Sequence, residues 1–154
     1  MKIDGKGRVS VPPDFRRALE AADPEYGEGR AATVFISHMP GEAFLDCMTV
    51  DHVDELTEKV ESMHDGDPDR EALEEYLYEK VASIQLDGTH RITLSRDLRE
   101  AIGLDGEVLF AGRGKRFRIF SPDAPDVAVS RLAQRMESLP KGSSPLRLLP
   151  GETA

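Results

Sequence analysis

Polar and apolar residues alternate strictly in Arg8-Val9-Ser10-Val11, and again in Arg91-Ile92-Thr93-Leu94. Such period-two alternation predicts a half-buried strand, with Val9 and Val11, or Ile92 and Leu94, turned inward. Each strand is entered through Asp-Gly, at Asp4-Gly5 and Asp87-Gly88. That dipeptide signals a turn, because Gly accepts positive φ and Asp can bond its own backbone downstream. Beyond each strand the apolar spacing widens to that of a short helix. Phe15, Ala18 and Leu19 form one inward stripe after Pro12-Pro13, with Pro13 suited to a first helical turn. Leu98, Ala101 and Ile102 form the other, with Ser95 as N-cap and Gly103 as terminator.

Two further strands follow each short helix. Thr33–Ile36 and Ala43–Leu45 are joined by the turn Met39-Pro40-Gly41; Glu107–Phe110 and Phe117–Phe120 are joined around Gly112 and Gly114. Helical stripes trail each hairpin: Val50, Val53, Leu56, Val60 and Met63 after the first, and Val127, Leu132, Ala133 and Met136 after the second. Leu73, Tyr76, Leu77 and Val81 predict one more helix between the halves. The class is α+β.

The two halves are copies. IDGKGRVSVPPDFRRAL at residues 3–19 aligns with LDGTHRITLSRDLREAI at residues 86–102, and about a dozen of the seventeen columns are identical or alike. The unit that repeats is turn, strand, short helix, hairpin.

Twenty basic and 29 acidic residues give the 154-residue chain a net charge of −9, which taken whole argues against a polyanionic partner. The distribution reverses that inference. Between Thr49 and Glu79 twelve Asp or Glu stand against Lys59 and Arg70, a local −10, so the remainder sums to about +1 (−9 minus −10). Lys2, Lys6, Arg8, Arg16 and Arg17 cluster at the start, and Arg113, Lys115, Arg116 and Arg118 form a second basic cluster. Both repeat copies lie outside the acidic segment. A lone Cys47 excludes an internal disulfide framework and fits a reducing compartment. No apolar run approaches membrane-spanning length and no signal peptide opens the chain, so no membrane association is expected.

Candidate chemistry is sparse. Asp65, Asp67 and Asp69 alternate like the start of a calcium loop, but Arg70 and Tyr76 occupy the positions that need Gly and Glu. Gly112-Arg113-Gly114 lacks the third glycine and the following helix of a phosphate loop. His38, His52 and His64 read as surface residues, the four histidines show no metal-ligand spacing, and Cys47 reads as a packed thiol. No metal, cofactor, small-molecule substrate or catalytic constellation is expected. The repeated Asp-Gly-x-x-Arg phrase stands apart, with two readings open. In one, each Arg pairs with a carboxylate and merely holds its turn. In the other, Lys6, Arg8 and Arg91 point outward to read phosphate or a guanine edge, since a guanidinium bonds two acceptors at once.

At Asp4-Gly5-Lys6-Gly7-Arg8 with Val9-Ser10-Val11-Pro12, and at Asp87-Gly88-Thr89-His90-Arg91, the chain resembles the MraZ family within the AbrB/SpoVT group of swapped-hairpin DNA-binding proteins. The likeness covers roughly residues 3–139. It implies two tandem AbrB-like swapped-hairpin units interlocked as an intramolecular pseudo-dimeric barrel flanked by helices. Residues 1–65 would be the first half with its acidic helix, and 66–139 the linking helix and second half. Beyond the likeness, residues 140–154 are rich in Pro, Gly and Ser and would be a disordered tail. The resemblance further implies a ring-shaped homo-oligomer that binds double-stranded DNA at direct repeats upstream of the bacterial division and cell-wall gene cluster, in the cytoplasm and at the nucleoid. It assigns DNA binding to Lys6, Arg8, His90 and Arg91, and the motif turns to Asp4, Gly5, Gly7, Asp87 and Gly88. Lys6 and Arg8 rank above Arg91, because Thr89 is neutral where Lys6 is basic and His90 stands where the family has Gly. Met1-Lys2 is a shorter lead than the family's usual first strand. The alternative is an oligomeric, antitoxin-like protein-interaction module built on the acidic segment and the tail leucines.

Overall fold

The computed structural model describes residues 1–123 and 131–151. Met1–Pro122 forms one compact unit and Asp123–Ala154 a second.

In the first unit, β1 (Arg8–Ser10) leads through Pro12 into α1 (Pro13–Ala21), and β5 (Arg91–Thr93) leads into α4 (Arg96–Ala101). Pro at the first helical position starts α1, and the Ser95 hydroxyl caps α4 by accepting from the Leu98 amide at 3.3 Å. Val9, Val11, Ile92 and Leu94 are buried, as the alternation requires. Leu19 and Ile102 are also buried, with Phe15 and Leu98 packed against the core. Ala18 and Ala101 are exposed instead, because a six- to nine-residue helix turns only one narrow stripe inward.

A five-stranded antiparallel sheet carries the rest. Its strands are β2 (Thr33–His38), β3 (Phe44–Met48), β4 (Ala82–Gln85), β6 (Leu109–Arg113) and β7 (Arg116–Phe120), in the order β4-β2-β3-β7-β6. β1 and β5 form a separate two-stranded ribbon. The architecture is α+β, and the ladders leave β4 and β6 as open edges rather than closing a barrel. At the centre β3 pairs with β7 about Asp46↔Arg118, so the two copies meet back to back. Each hairpin receives the lead segment of the other copy. The β4 strand before the second motif pairs with β2, and its neighbour Leu86 donates its amide to the Ala32 carbonyl at 3.0 Å. Reciprocally, Ile3 and Val108 donate to the Gly106 and Met1 carbonyls at 3.1 and 2.9 Å.

Three local readings change. The helix expected through Val81 is α3 (Pro68–Glu75) followed by a π-helical turn at Tyr76–Lys80, and Val81 is already extended before β4. The β4 strand is missed from sequence because Ala82-Ser83-Ile84-Gln85 has one large apolar residue. Gly112 lies within β6 opposite Phe117, and the hairpin turns at Gly114, whose φ is +71°. Of the aspartates in the would-be calcium loop, Asp67 caps α3 by accepting from the Asp69 amide at 2.8 Å. α2 (Val50–Glu61) carries much of the acidic segment and buries Val60. No helix among the described residues is long and apolar enough to cross a membrane.

The second unit contains α5 (Arg131–Met136) and a 3-10 turn at Pro145–Leu148. Leu132, Leu146, Leu148 and Leu149 are exposed. Val127 lies outside the described residues.

Candidate functional site

Both copies of the motif fold into one loop design. The Gly7 amide donates to the Asp4 carbonyl at 3.0 Å and the Asp4 amide to the Arg8 carbonyl at 3.0 Å; the His90 and Asp87 amides repeat this at 3.0 and 2.9 Å. Ile3 and Val9 bridge just outside the first loop. This is a three-residue hairpin loop whose last residue takes the left-handed conformation. Gly7 holds φ +86° and His90 φ +62°. The left-handed position is therefore the residue before each Arg. Gly5 and Gly88, expected to supply positive φ, do not adopt it.

The aspartates anchor these loops. Asp4 Oδ1 accepts from the Lys6 and Arg8 amides at 3.0 and 2.9 Å, and its Oδ2 accepts from Arg8 Nε at 2.7 Å. Asp87 Oδ1 accepts from the Thr89 amide, the Thr89 hydroxyl and the Arg91 amide, and Oδ2 from Arg91 Nε, all at 2.9 Å. The Arg91 backbone amide first, and the Thr89 amide next among the favourable contacts, hold the Asp87 carboxyl well below the ordinary carboxylate range. Asp4 is lowered too, by the Arg8 amide above all.

The turn-holding reading of the arginines is thus correct as far as it goes: each pairs with the aspartate four residues earlier. Their side chains remain 36% and 34% exposed, and the pairing engages Nε. Among the described residues the terminal guanidinium nitrogens make no hydrogen bond. Each Arg is therefore aimed by its aspartate rather than buried by it.

The ribbon register brings the two loops together. Arg8 pairs with Thr93, Val9 with Ile92, and Ser10 with Arg91. The ladder extends at both ends through the left-handed residues: Leu94 donates to the Gly7 carbonyl at 2.8 Å and Val11 to the His90 carbonyl at 3.0 Å. Residues directly opposite share a face, so Arg8, Ser10, Arg91 and Thr93 line one side while Val9 and Ile92 point to the core. Two residues of rise and one strand spacing put the Arg Cα atoms about 8 Å apart on the diagonal. Lys6, Thr89 and His90 are exposed at the ends.

One partner of the first loop escaped the sequence reading. Arg99 Nε of α4 donates to the Leu94 carbonyl at 3.1 Å, beside Gly7. Its column in the repeat, shared with Arg16, was the available signal. The second basic cluster is largely neutralised. Lys115 pairs with Glu55; Arg116 and Arg118 approach the buried Asp46 at 3.4 and 3.8 Å; and Arg118 stacks 3.9 Å over the Phe44 ring. His52 is partly buried beside this cluster, and burial first, then Arg116, lowers its imidazole pKa. Cys47 is fully buried, and burial pushes its thiol far up, making it a packing residue.

These features define an α+β protein with a duplicated, aspartate-anchored loop that presents two arginines on a single ribbon. A family profile described as "MraZ protein, putative antitoxin-like" matches residues 77–137. The chain is 34% identical over 152 residues to the transcriptional regulator MraZ of Ruegeria sp. (strain TM1040), covering 97% of this chain and 91% of that protein. Ruegeria pomeroyi has a protein of the same name, 32% identical over 154 residues with the same coverage. That of Cereibacter sphaeroides (strain ATCC 17025 / ATH 2.4.3) is 33% identical over 155 residues, covering 96% and 90%. The chain belongs to the MraZ family. Those relatives are named as regulators, not as enzymes.

Proposed function

We propose that this chain is a transcriptional regulator that binds double-stranded DNA through the exposed face of the β1–β5 ribbon. Arg8 and Arg91 are the central contacts, Lys6 and His90 the flanking ones. Asp4, Gly5, Gly7, Asp87 and Gly88 shape the loops that aim them. The single observation carrying this reading is the register that sets two aspartate-anchored arginines on one face. A two-stranded ribbon fits the major groove, about 12 Å wide, and a guanidinium held by Nε keeps its terminal nitrogens for phosphate or the guanine edge. The acidic excess is carried by the α2 and α3 segment, outside the ribbon, which eases the conflict between net charge and a polyanionic partner.

The reciprocal pairing of each lead segment with the other copy's hairpin supports the interlocked, swapped-hairpin view of the two halves. One ribbon with few cations binds weakly. A ring-shaped homo-oligomer placing several ribbons on direct repeats would raise avidity by roughly 10²–10⁴. The target assigned through the family likeness is the DNA upstream of the division and cell-wall genes, in the cytoplasm and at the nucleoid.

A mobility-shift assay with the chain's own upstream DNA against scrambled DNA tests the reading. Specific binding, lost in Arg8→Ala while circular dichroism stays native, is the expected result. Unchanged affinity in that variant removes the ribbon as the reading surface. The antitoxin-like alternative gains from the exposed leucines of the second unit. Copurification of a stoichiometric basic protein without DNA would favour it.

A further inference from the structure

Resting on the DNA-binding reading, we propose that His90 is a specificity-determining residue for one end of the DNA site, so that the two ends of the ribbon read different chemistry and each subunit docks in one orientation. The ribbon's pseudo-two-fold axis relates Arg8 to Arg91 and Ser10 to Thr93, so its middle is nearly symmetric. Its ends are not. At the left-handed position of the first loop a side chain has no room. A Cβ on Gly7 would lie 2.4 Å from the Leu94 carbonyl oxygen and 2.9 Å from Arg99 Nε. At the same position of the second loop stands an imidazole.

The backbone of the loop does not require that imidazole. The backbone of His90 makes the same two bonds as that of Gly7: its amide donates to the Asp87 carbonyl and its carbonyl accepts from the Val11 amide. Glycine would make both without strain. His90 is also the non-glycine residue with positive φ among the described residues. The side chain is exposed, makes no hydrogen bond among the described residues, and borders a hollow of about 240 Å³ lined also by Glu20, Tyr26, Arg30 and Asp87. An exposed residue held at positive φ, beside Arg91 at the rim of a binding face and with no side-chain hydrogen bond among the described residues, points to an external partner. Imidazole offers one donor and one acceptor, a set suited to a base edge. The first loop offers Lys6, a point charge suited to phosphate.

In vitro selection from randomised duplexes, using the full chain as wild type, His90→Gly and His90→Asn, tests this. The wild type should select an asymmetric site. His90→Gly should keep the preference at one end and lose about tenfold discrimination at one or two positions of the other. His90→Asn, whose side chain also tolerates positive φ, should change the base preferred there, and it carries the comparison should the glycine variant fold poorly. Identical selection by all three proteins overturns the proposal while leaving DNA reading intact. Affinity lost evenly over all sequences overturns it too, by making His90 a phosphate contact. A wild type that selects no sequence removes the DNA reading, and this inference with it.

Discussion

The first and second loops reach the same backbone by different means, and the comparison separates what the fold requires from what the surface carries. Both close on an aspartate, both tie down an arginine four residues on, and both end in a left-handed residue. The first loop is packed: Gly7 lies against the Leu94 carbonyl, and Arg99 reaches over from α4 to the same oxygen. The second is open, its left-handed position occupied by a side chain that touches solvent. Loop geometry is thus set by the Asp and Arg they share, while the intervening residues are free to differ wherever packing allows. Lys6 against Thr89 and Gly7 against His90 are those differences.

Replacing Gly7 should break the comparison most. In Gly7→Ala the new methyl meets a backbone oxygen, and its φ lies in the left-handed region. The two costs together predict a loss of about 2–4 kcal/mol in urea unfolding. A loss below about 1 kcal/mol would mean that the first loop relaxes as readily as the second. Exchanging the arginines comes next. Arg8→Lys keeps the charge but loses both the Nε bond to Asp4 and the paired terminal donors. Affinity for specific DNA should fall about tenfold or more, with the salt dependence preserved. The same change at Arg91 should cost less; a larger cost there would invert the ranking of the two loops.

Acid sharpens the comparison further. Both anchoring carboxyls are lowered on folding, Asp87 further than Asp4. A group whose folded pKa is depressed adds stability above its unfolded value, near 3.9, and loses it as pH falls through the folded one. The loops' contribution to stability should therefore be complete above about pH 4 and decline below it, while the native carboxyls themselves stay ionised to lower pH. Carboxyl-carbon NMR titration should place the Asp87 midpoint below that of Asp4, and both below the ordinary value. An ordinary midpoint for Asp87 would dissolve its anchoring role. In the Asp87→Asn variant, stability should be lower at neutral pH and flatter between pH 4 and 2. A smaller effect belongs to Lys6. Lys6→Ala should reduce the slope of log affinity against log salt by about 1, and Thr89→Ala should leave it unchanged. Equal slopes in both variants would mean that Lys6 does not reach phosphate.

Most of this was legible because strand alternation and duplication are local signals. Val9, Val11, Ile92 and Leu94 could be placed in the core from period alone, and the two copies predicted each other's elements. Long-range pairing was not legible: nothing near Ala82 says that it will sit beside Ile36, and nothing near Met1 says that its carbonyl will meet Val108. The site was half legible. Asp-Gly pointed to the right loops, but the positive φ fell on Gly7 and His90, because the side-chain bonds of Asp4 and Asp87 close the first part of each loop without it. The basic stretch at residues 113–118 misled in the other direction. Its partners Asp46 and Glu55 are 60 to 72 residues away in sequence (115 − 55 and 118 − 46), so its neutralisation is visible only in the folded chain.

The smallest effect is the most telling about the second loop. In His90→Gly, relief of the left-handed strain is worth about 1 kcal/mol, and the added freedom of the unfolded chain costs about 0.4–1 kcal/mol. These oppose each other, so the variant should unfold within about 0.5 kcal/mol of the wild type. Against the loss predicted for Gly7→Ala, that near-neutrality would show that the imidazole contributes nothing to folding and that its place on the ribbon is owed to what the ribbon meets. A destabilisation beyond about 1 kcal/mol would instead reveal an internal contact for His90, and the two loops would differ in packing alone.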